Sequence, residues 1–191
     1  MKERTLVLIK PDGVKRSISG KIISRFEESG LKIIGMKMIW ANKELAENHY
    51  FLDEDWAKEI YKKTKAGYDK DGKNFPYKDH MDIGKTIQSW NMDFLMEGPV
   101  IAIIFEGPHA IELVRKMIGS TEPRSSMPGT IRGDFASVES YAVADEGKRV
   151  LRNLIHASDS NETAKREIAL WFSLEEIHSD YKTTHEMLLE K

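Results

Sequence analysis

The chain predicts an α+β fold in which a four-stranded antiparallel sheet is covered by helices, a ferredoxin-like sandwich. Three observations carry that expectation. Four short apolar runs rich in Val, Ile and Met read as strands, helical patterns separate them, and the order β-α-β-α-(polar segment)-α-β-α-loop-β-α places the helices over one face of the sheet. No internal repeat and no low-complexity segment interrupts the 191 residues, so the expectation is one domain with insertions at about 53–88 and 136–149.

Composition removes several classes of function. Hydrophobic residues make up 40% and charged residues 31%, a balance that supports a folded chain and excludes disorder. A net charge of -2 supplies no global attraction to nucleic acid or to a membrane, so neither is expected as a partner. The absence of cysteine removes disulfides, thiolate metal sites and cysteine nucleophiles together. The start, Met1-Lys2-Glu3-Arg4, has no apolar signal core, and no apolar stretch approaches about 18 residues, which points to the cytoplasm.

Each element has its own signature. Thr5 to Ile9 is a continuous β-rich run, as a central strand covered on both faces would be, and Lys10-Pro11-Asp12-Gly13 closes it as a turn. Lys10 is then either a surface lysine ending a strand or a charge aimed at a ligand beyond the sheet edge. Ser19 to Glu28 reads as a helix with Ile22, Ile23 and Phe26 on one face and Gly30 as its stop. Leu31 to Trp40 follows as a strand, and Lys43 to Phe51 as a helix ending in His49-Tyr50-Phe51, where Tyr50 is a core aromatic or a site residue.

The stretch from Asp53 to Gln88 changes character. Eight lysines interleave with acids and with the turn formers Asp69-Lys70-Asp71-Gly72 and Asn74-Phe75-Pro76, which predicts a solvated insertion with a short helix at Trp56 to Lys65. Gly84-Lys85-Thr86 looks like the end of a phosphate-binding P-loop, but Asp79 stands where that motif requires glycine.

Ile87 to Met96 reads as a helix, Gly98-Pro99 as a break, and Val100 to Phe105 as a strand. Gly107-Pro108 starts a helix over His109 to Ile118, with Arg115 at the edge of the buried stripe Ile111, Val114 and Ile118. Ser120 to Asp134 is a loop stiffened by Pro123, Pro128, Gly129 and Gly133; it carries Thr121 and Arg132, and its Arg132-Gly133-Asp134 tripeptide is taken as chance. After the polar segment 136–149, Leu154-Ile155 forms a short buried strand that runs into His156. Asp159 with Glu162 makes a capping-box pattern, Ser160 is a rival N-cap, and a helix from Glu162 to Trp171 precedes a Glu-rich helical tail.

Taken together, Lys10, Arg115, Thr121, Arg132 and Asn153 are the parts of a polyphosphate clamp around His156. Phosphoryl transfer asks a protein mainly for in-line positioning and neutralised charge. Histidine suits the nucleophile's role because its ordinary pKa of about 6.5 leaves much of it neutral near pH 7. Glu167 is either a helix-surface glutamate or the carboxylate that takes the second ring N–H and fixes the tautomer.

Three segments carry a family resemblance: Lys10-Pro11-Asp12-Gly13-Val14, Pro128-Gly129-Thr130-Ile131-Arg132-Gly133-Asp134-Phe135 and Asn153-Leu154-Ile155-His156-Ala157-Ser158-Asp159-Ser160. In this order they resemble the signature segments of nucleoside diphosphate kinases. The resemblance implies transfer of a γ-phosphate from a nucleoside triphosphate to a diphosphate, in two half-reactions through phosphorylated His156. It implies Arg115, Thr121 and Arg132 at the phosphates, Lys10 and Asn153 at the ribose hydroxyls and the bridging oxygen, and Tyr50 and Ser158 against the histidine oriented by Glu167. It further implies Mg²⁺ carried on the phosphates with few or no protein ligands, Asp159 at most an outer contact, and a homo-oligomer, a hexamer in preference to a tetramer.

The sequence departs from the family at the base end. The stacking phenylalanine would fall at Ile87 or Gln88, and neither is aromatic; Trp90 ranks first as its replacement, ahead of Phe75 and Tyr77 folding back. A smaller departure is Ala157 where many relatives have glycine. The rival reading is a nucleotide-binding or scaffold protein of the same fold with little turnover. An RNA-binding module is weaker, because it would want exposed strand aromatics and a basic face.

Overall fold

A computed structural model describes residues 2–70, 72 and 74–189. Strand β1 (Lys2–Ile9) is buried without interruption from Thr5 onward. Side chains alternate across a strand, so Leu6 and Leu8 enter one core while Val7 and Ile9 enter the other. With β2 (Lys32–Ile39), β3 (Val100–Pro108) and β4 (Ile155–Ala157), β1 forms a four-stranded sheet in the order β2-β3-β1-β4, with every pairing antiparallel.

Helices cover both faces, which corrects the expectation of one covered face. Helices α2 (Ser19–Glu28) and α6 (Ala110–Ile118) supply Ile22, Phe26, Val114 and Ile118 to the core of Val7 and Ile9. On the opposite side α3 (Lys43–His49), α5 (His80–Met96) and α9 (Asn161–Trp171) bring Ala46, Leu95 and Trp171 against Leu6 and Leu8. A continuous apolar strand demands this, because an uncovered face would leave half its side chains in water.

Three local expectations change. Lys10-Pro11-Asp12-Gly13 is no simple turn: Pro11 opens α1 (Pro11–Lys15), its fixed φ suiting the first helical position. The polar stretch 53–88 is largely helical, with α4 (Glu54–Lys70) packed against the first half of α5. Its apolar stripe is thin, Ala57 and Ile83 being its fully buried members, and the surrounding charges conceal it. Gly84 permits the close crossing, since a Cβ there would lie 3.0 Å from both Ala57 Cβ and Leu52 Cδ1. Phe75 closes the far end against Tyr61, Tyr68 and Tyr77.

The third change concerns the histidine. Leu154 has a left-handed φ of 68°, so the strand begins after it and His156 lies within β4. Ser160, whose side chain accepts from Thr163 N, is the N-cap of α9 in place of Asp159. The loop 120–134 also contains a 3₁₀ turn at Pro123–Ser125 and the start of α7 (Ile131–Phe135), capped by Thr130, and the polar segment after it holds α8 (Tyr141–Glu146), capped by Ser140. The residues beyond 171 include a second 3₁₀ turn and α10 (Thr184–Leu189); residues 190 and 191 of the expected tail lie outside the described residues, as does Asp71 of the expected turn.

Candidate active site

His156 pairs across β4 with Leu8 of β1, while its neighbours Ile155 and Ala157 point into the core on the α2 and α6 side. The pleat therefore turns the imidazole toward α3 and α9. There its Nε2 lies 3.0 Å from both carboxylate oxygens of Glu167. A carboxylate accepts only, so Nε2 carries the proton and Nδ1 keeps its lone pair. Glu167 Oε2 also accepts the Ser158 hydroxyl at 2.7 Å, and Ser158 Oγ accepts from Leu6 N at 3.3 Å. Burial alone would raise the Glu167 pKa, but the combined pull of His156, His49 and the Ser158 hydroxyl holds it below the ordinary value. Glu167 is thus a buried carboxylate, not the surface glutamate of the alternative reading.

His49, at the end of α3, belongs to this centre and was not foreseen. Its ring meets that of His156 edge-to-face, with centroids 4.6 Å apart at 86°. The Trp171 indole N–H donates to its Nδ1 at 3.3 Å. Burial first, and then His156, push its pKa well below the ordinary value, so it stays neutral. Tyr50 packs against His49 with centroids 4.7 Å apart, and its buried hydroxyl has no partner among the described residues. Burial, with Glu167 and Asp12 nearby, raises the phenol pKa and keeps it protonated.

In front of the histidine is a cavity of about 390 Å³ to which Arg115, Asp159 and Arg166 contribute charge and Phe51 and Trp56 an apolar wall. Arg166 is a second site residue that the sequence reading passed over; its guanidinium donates to Asn48 O at 3.1 Å and lies 3.7 Å from Glu167.

The phosphate-clamp candidates converge beside it. Lys10 Nζ donates to Asn153 Oδ1 at 2.9 Å, and Asn153 Nδ2 donates to the Thr121 carbonyl at 2.9 Å. Burial, and then Arg132, lower the Lys10 pKa from 10.5 to about 8, against a smaller opposing pull from Asp12. Arg132 donates to the carbonyls of Gly119, Ser120, Asn153 and Ile155, stitching its loop to the chain entering β4. Those bonds use four of its five N–H groups and leave one for a ligand. Thr121 is exposed.

Asp12 explains the left-handed corner at Leu154. Its Oδ2 accepts from Leu154 N at 3.0 Å, while Lys10 N donates to Leu154 O at 2.8 Å. A Cβ at Gly13 would come within 2.8 Å of Ile9 Cγ2 and 3.2 Å of Leu154 O. The Lys10–Gly13 motif therefore clamps the segment that aims the histidine.

Trp90 is not in the histidine's cavity. It lines a separate one of about 320 Å³ with Asp93 and Phe94 of α5, its C-cap Glu97, and Lys148, Arg149, Val150 and Arg152. Lys10 connects the two regions, its ammonium lying 5.5 Å from the Phe94 ring centroid. Phe75 and Tyr77 are engaged with each other at the end of the α4–α5 hairpin and line neither of the two cavities. Among the described residues, the one cluster with metal-ligand geometry is His49, His156 and Glu167, whose ligand atoms lie within 4.8 Å of one another. Two nitrogens and one carboxylate do not suit Mg²⁺, which prefers oxygen ligands and keeps its water.

A fixed-tautomer histidine on this sheet, facing arginine, belongs to the phosphotransferase class. The family model for nucleoside diphosphate kinase matches residues 3–71 and 69–177. A nucleoside diphosphate kinase from Pyrobaculum aerophilum is 41% identical over 179 residues, covering 92% of this chain and 97% of the relative. Another from Pyrococcus furiosus is 42% identical over 189 residues, covering 99% and 94%. Among solved structures, an NDP kinase from Pyrobaculum aerophilum superposes with a TM-score of 0.89 at 39% identity, covering 94% of this chain and all of that one. A transition-state mimic of the Borrelia burgdorferi enzyme with bound vanadate and ADP gives 0.79 at 34%, covering 98% and 96%. The chain belongs to the nucleoside diphosphate kinase family.

Proposed function

We propose that this protein moves the γ-phosphate of a nucleoside triphosphate to a nucleoside diphosphate through His156. One observation carries the reading: the hydrogen bonds from His156 Nε2 to Glu167 leave Nδ1 as the nucleophilic atom. In the first half-reaction Nδ1 attacks the γ-phosphorus as the bond to the β-phosphate oxygen breaks, and the diphosphate leaves. In the second, a β-phosphate oxygen of the acceptor attacks the phosphorus and the N–P bond breaks. The Nε2 proton stays on the ring throughout, so no separate base is required. Glu167 favours the positive charge that develops on the imidazole, and Ser158 keeps that carboxylate in place.

In this reading Arg115, Thr121 and the remaining N–H of Arg132 hold phosphate oxygens. Lys10 and Asn153 take the ribose hydroxyls and the bridging oxygen, and the buried Tyr50 hydroxyl contributes beside the histidine. Trp90 stacks on the base from the neighbouring cavity. Mg²⁺ would be carried on the nucleotide phosphates, where it would neutralise charge, and Asp159 would reach it at most through water. A homo-oligomer belongs to the same reading, a hexamer in preference to a tetramer, with exposed Met127 and Val138 as apolar surface to cover. No described helix is long and apolar enough to cross a membrane, and the reading carries a cytoplasmic location with it.

Incubation with γ-labelled ATP and Mg²⁺ is expected to give an acid-labile, alkali-stable phosphoprotein that loses its label to added GDP. A His156→Ala protein that still labels overturns the assignment. Nucleotide binding without label favours the scaffold reading.

A further inference from the structure

Glu167 fixes one atom of the His156 ring, and one atom is not enough to aim the nucleophile. The ring turns about its Cβ–Cγ bond, and that axis leaves the ring midway between Nε2 and Cε1, closer to Nε2 than to Nδ1. Rotation therefore moves Nε2 less than Nδ1, while it turns the Nδ1 lone pair, nearly perpendicular to the axis, away from the line of attack by almost the full angle. Catalytic geometry tolerates only roughly 10–20° of such error. A second contact on the ring is needed to fix its plane.

His49 makes that contact, its ring standing at 86° to that of His156 with centroids 4.6 Å apart. His49 is itself immobilised. It is 4% exposed, accepts from the Trp171 indole N–H at 3.3 Å, and meets the rings of Tyr50 and Trp171 edge-on, with centroids 4.7 and 5.5 Å away. Because Nδ1 accepts from Trp171, the ring proton sits on Nε2, a buried atom with no hydrogen-bond partner among the described residues. An aliphatic side chain would fill this space at lower desolvation cost. The polar ring brings two features that an aliphatic one lacks: an acceptor for Trp171 and a rigid planar ring standing at right angles to that of His156.

We propose that His49 is a positioning residue for phosphoryl transfer, held by Trp171 and setting the plane of the His156 ring so that Nδ1 points along the line of attack. The proposal rests on His156 being the phosphate acceptor.

The test separates the flat ring from the acceptor atom. His49→Phe keeps the ring and loses the acceptor, His49→Asn keeps an acceptor oxygen near Nδ1 and loses the ring, and His49→Ala loses both. The rate of His156 phosphorylation by ATP is measured in rapid quench, with KM for ATP and thermal unfolding alongside. The Ala and Asn proteins are expected to lose roughly 10²-fold in rate, the size of effect that small misplacement of a reacting group produces. Their KM should change less than about threefold, and the Phe protein should recover most of the rate. A wild-type rate in the Ala or Asn protein overturns the proposal. So does a Phe protein as slow as Ala, which would mean that the Trp171 bond and not the ring is what matters. If Ala fails to fold, the Phe and Asn comparison decides. Failure of the wild-type protein to label at His156 is a different result, and it defeats the underlying reading instead.

Discussion

Behind His156 the side chains are enclosed and share partners: Ser158 and Glu167 are 0% and 2% exposed, and one carboxylate receives both the imidazole and the hydroxyl, although the cavity in front has exposed walls at Phe51, Arg115 and Arg166. Around Trp90 the walls are open. Asp93 and Lys148 are exposed, and the ion pair on that rim, Arg152 with Glu97 at 2.6 Å, has side chains 40% and 26% exposed. The contrast follows from what each end has to do. Transferring a phosphoryl group gains from fixed dipoles in a low-dielectric setting, where no reorganisation is required as charge develops. In the proposed reading the Trp90 end holds a base by stacking, which is tolerant of angle and of partner, so that end could change its residues without losing the reaction.

The comparison breaks if losses at the open end match those at the closed end. Glu167→Ala should have the largest effect of the substitutions considered in this comparison, lowering the rate of His156 phosphorylation roughly 10²-fold, in the range for general catalytic groups. Single-turnover kinetics would measure it, and a loss under about fivefold would contradict a tautomer-fixing role.

Next comes Lys10, whose charge is partly suppressed by burial and Arg132 to a pKa of about 8. In the proposed reading a nucleotide needs the protonated form, so KM for diphosphates should rise above pH 8, approaching about tenfold per pH unit. Stability should move the other way. Between about 8 and 10.5 the unfolded chain holds the Lys10 proton more tightly than the folded one, so this group's contribution to unfolding free energy rises with pH. Steady-state KM and chemical denaturation across that window check both signs, and Lys10→Met should flatten both profiles.

Smaller still is Trp90→Leu, which should raise KM by roughly fivefold, about 1 kcal/mol of stacking, with the phosphorylation rate nearly unchanged. An unchanged KM for every common diphosphate would remove Trp90 from the base end. The smallest effect is expected from Glu97→Gln, where an exposed ion pair is worth about 0.5 kcal/mol or less in thermal unfolding.

Much of the site was legible before any coordinates. Lys10, Asn153, Ser158 and His156 lie in motifs whose residue types suit phosphate chemistry, and with Glu167 on the following helix all five join in two hydrogen-bonded groups that the structure brings together. The covering of the sheet was also implicit in β1, because an unbroken apolar strand requires partners on both sides. The helical hairpin of α4 and α5 escaped notice because its buried stripe is narrow and its surface charges dominate the pattern. Ile87 and Gln88, where a stacking aromatic was expected, sit in the middle of α5, and Trp90 lies across a different cavity from His156.

Local chemistry is what the sequence determined by itself: which runs must be buried, which loop is stiff, and that a histidine is followed by a helix start. Only the tertiary structure could decide how that histidine is aimed. Asp12 reaches Leu154 across 142 positions of chain and Trp171 reaches His49 across 122. Contacts at such separations leave no periodicity or spacing to read. They arise because β1, α3 and α9 pack beside β4, where burial makes each polar atom depend on a partner that the fold, and not the neighbouring residues, supplies.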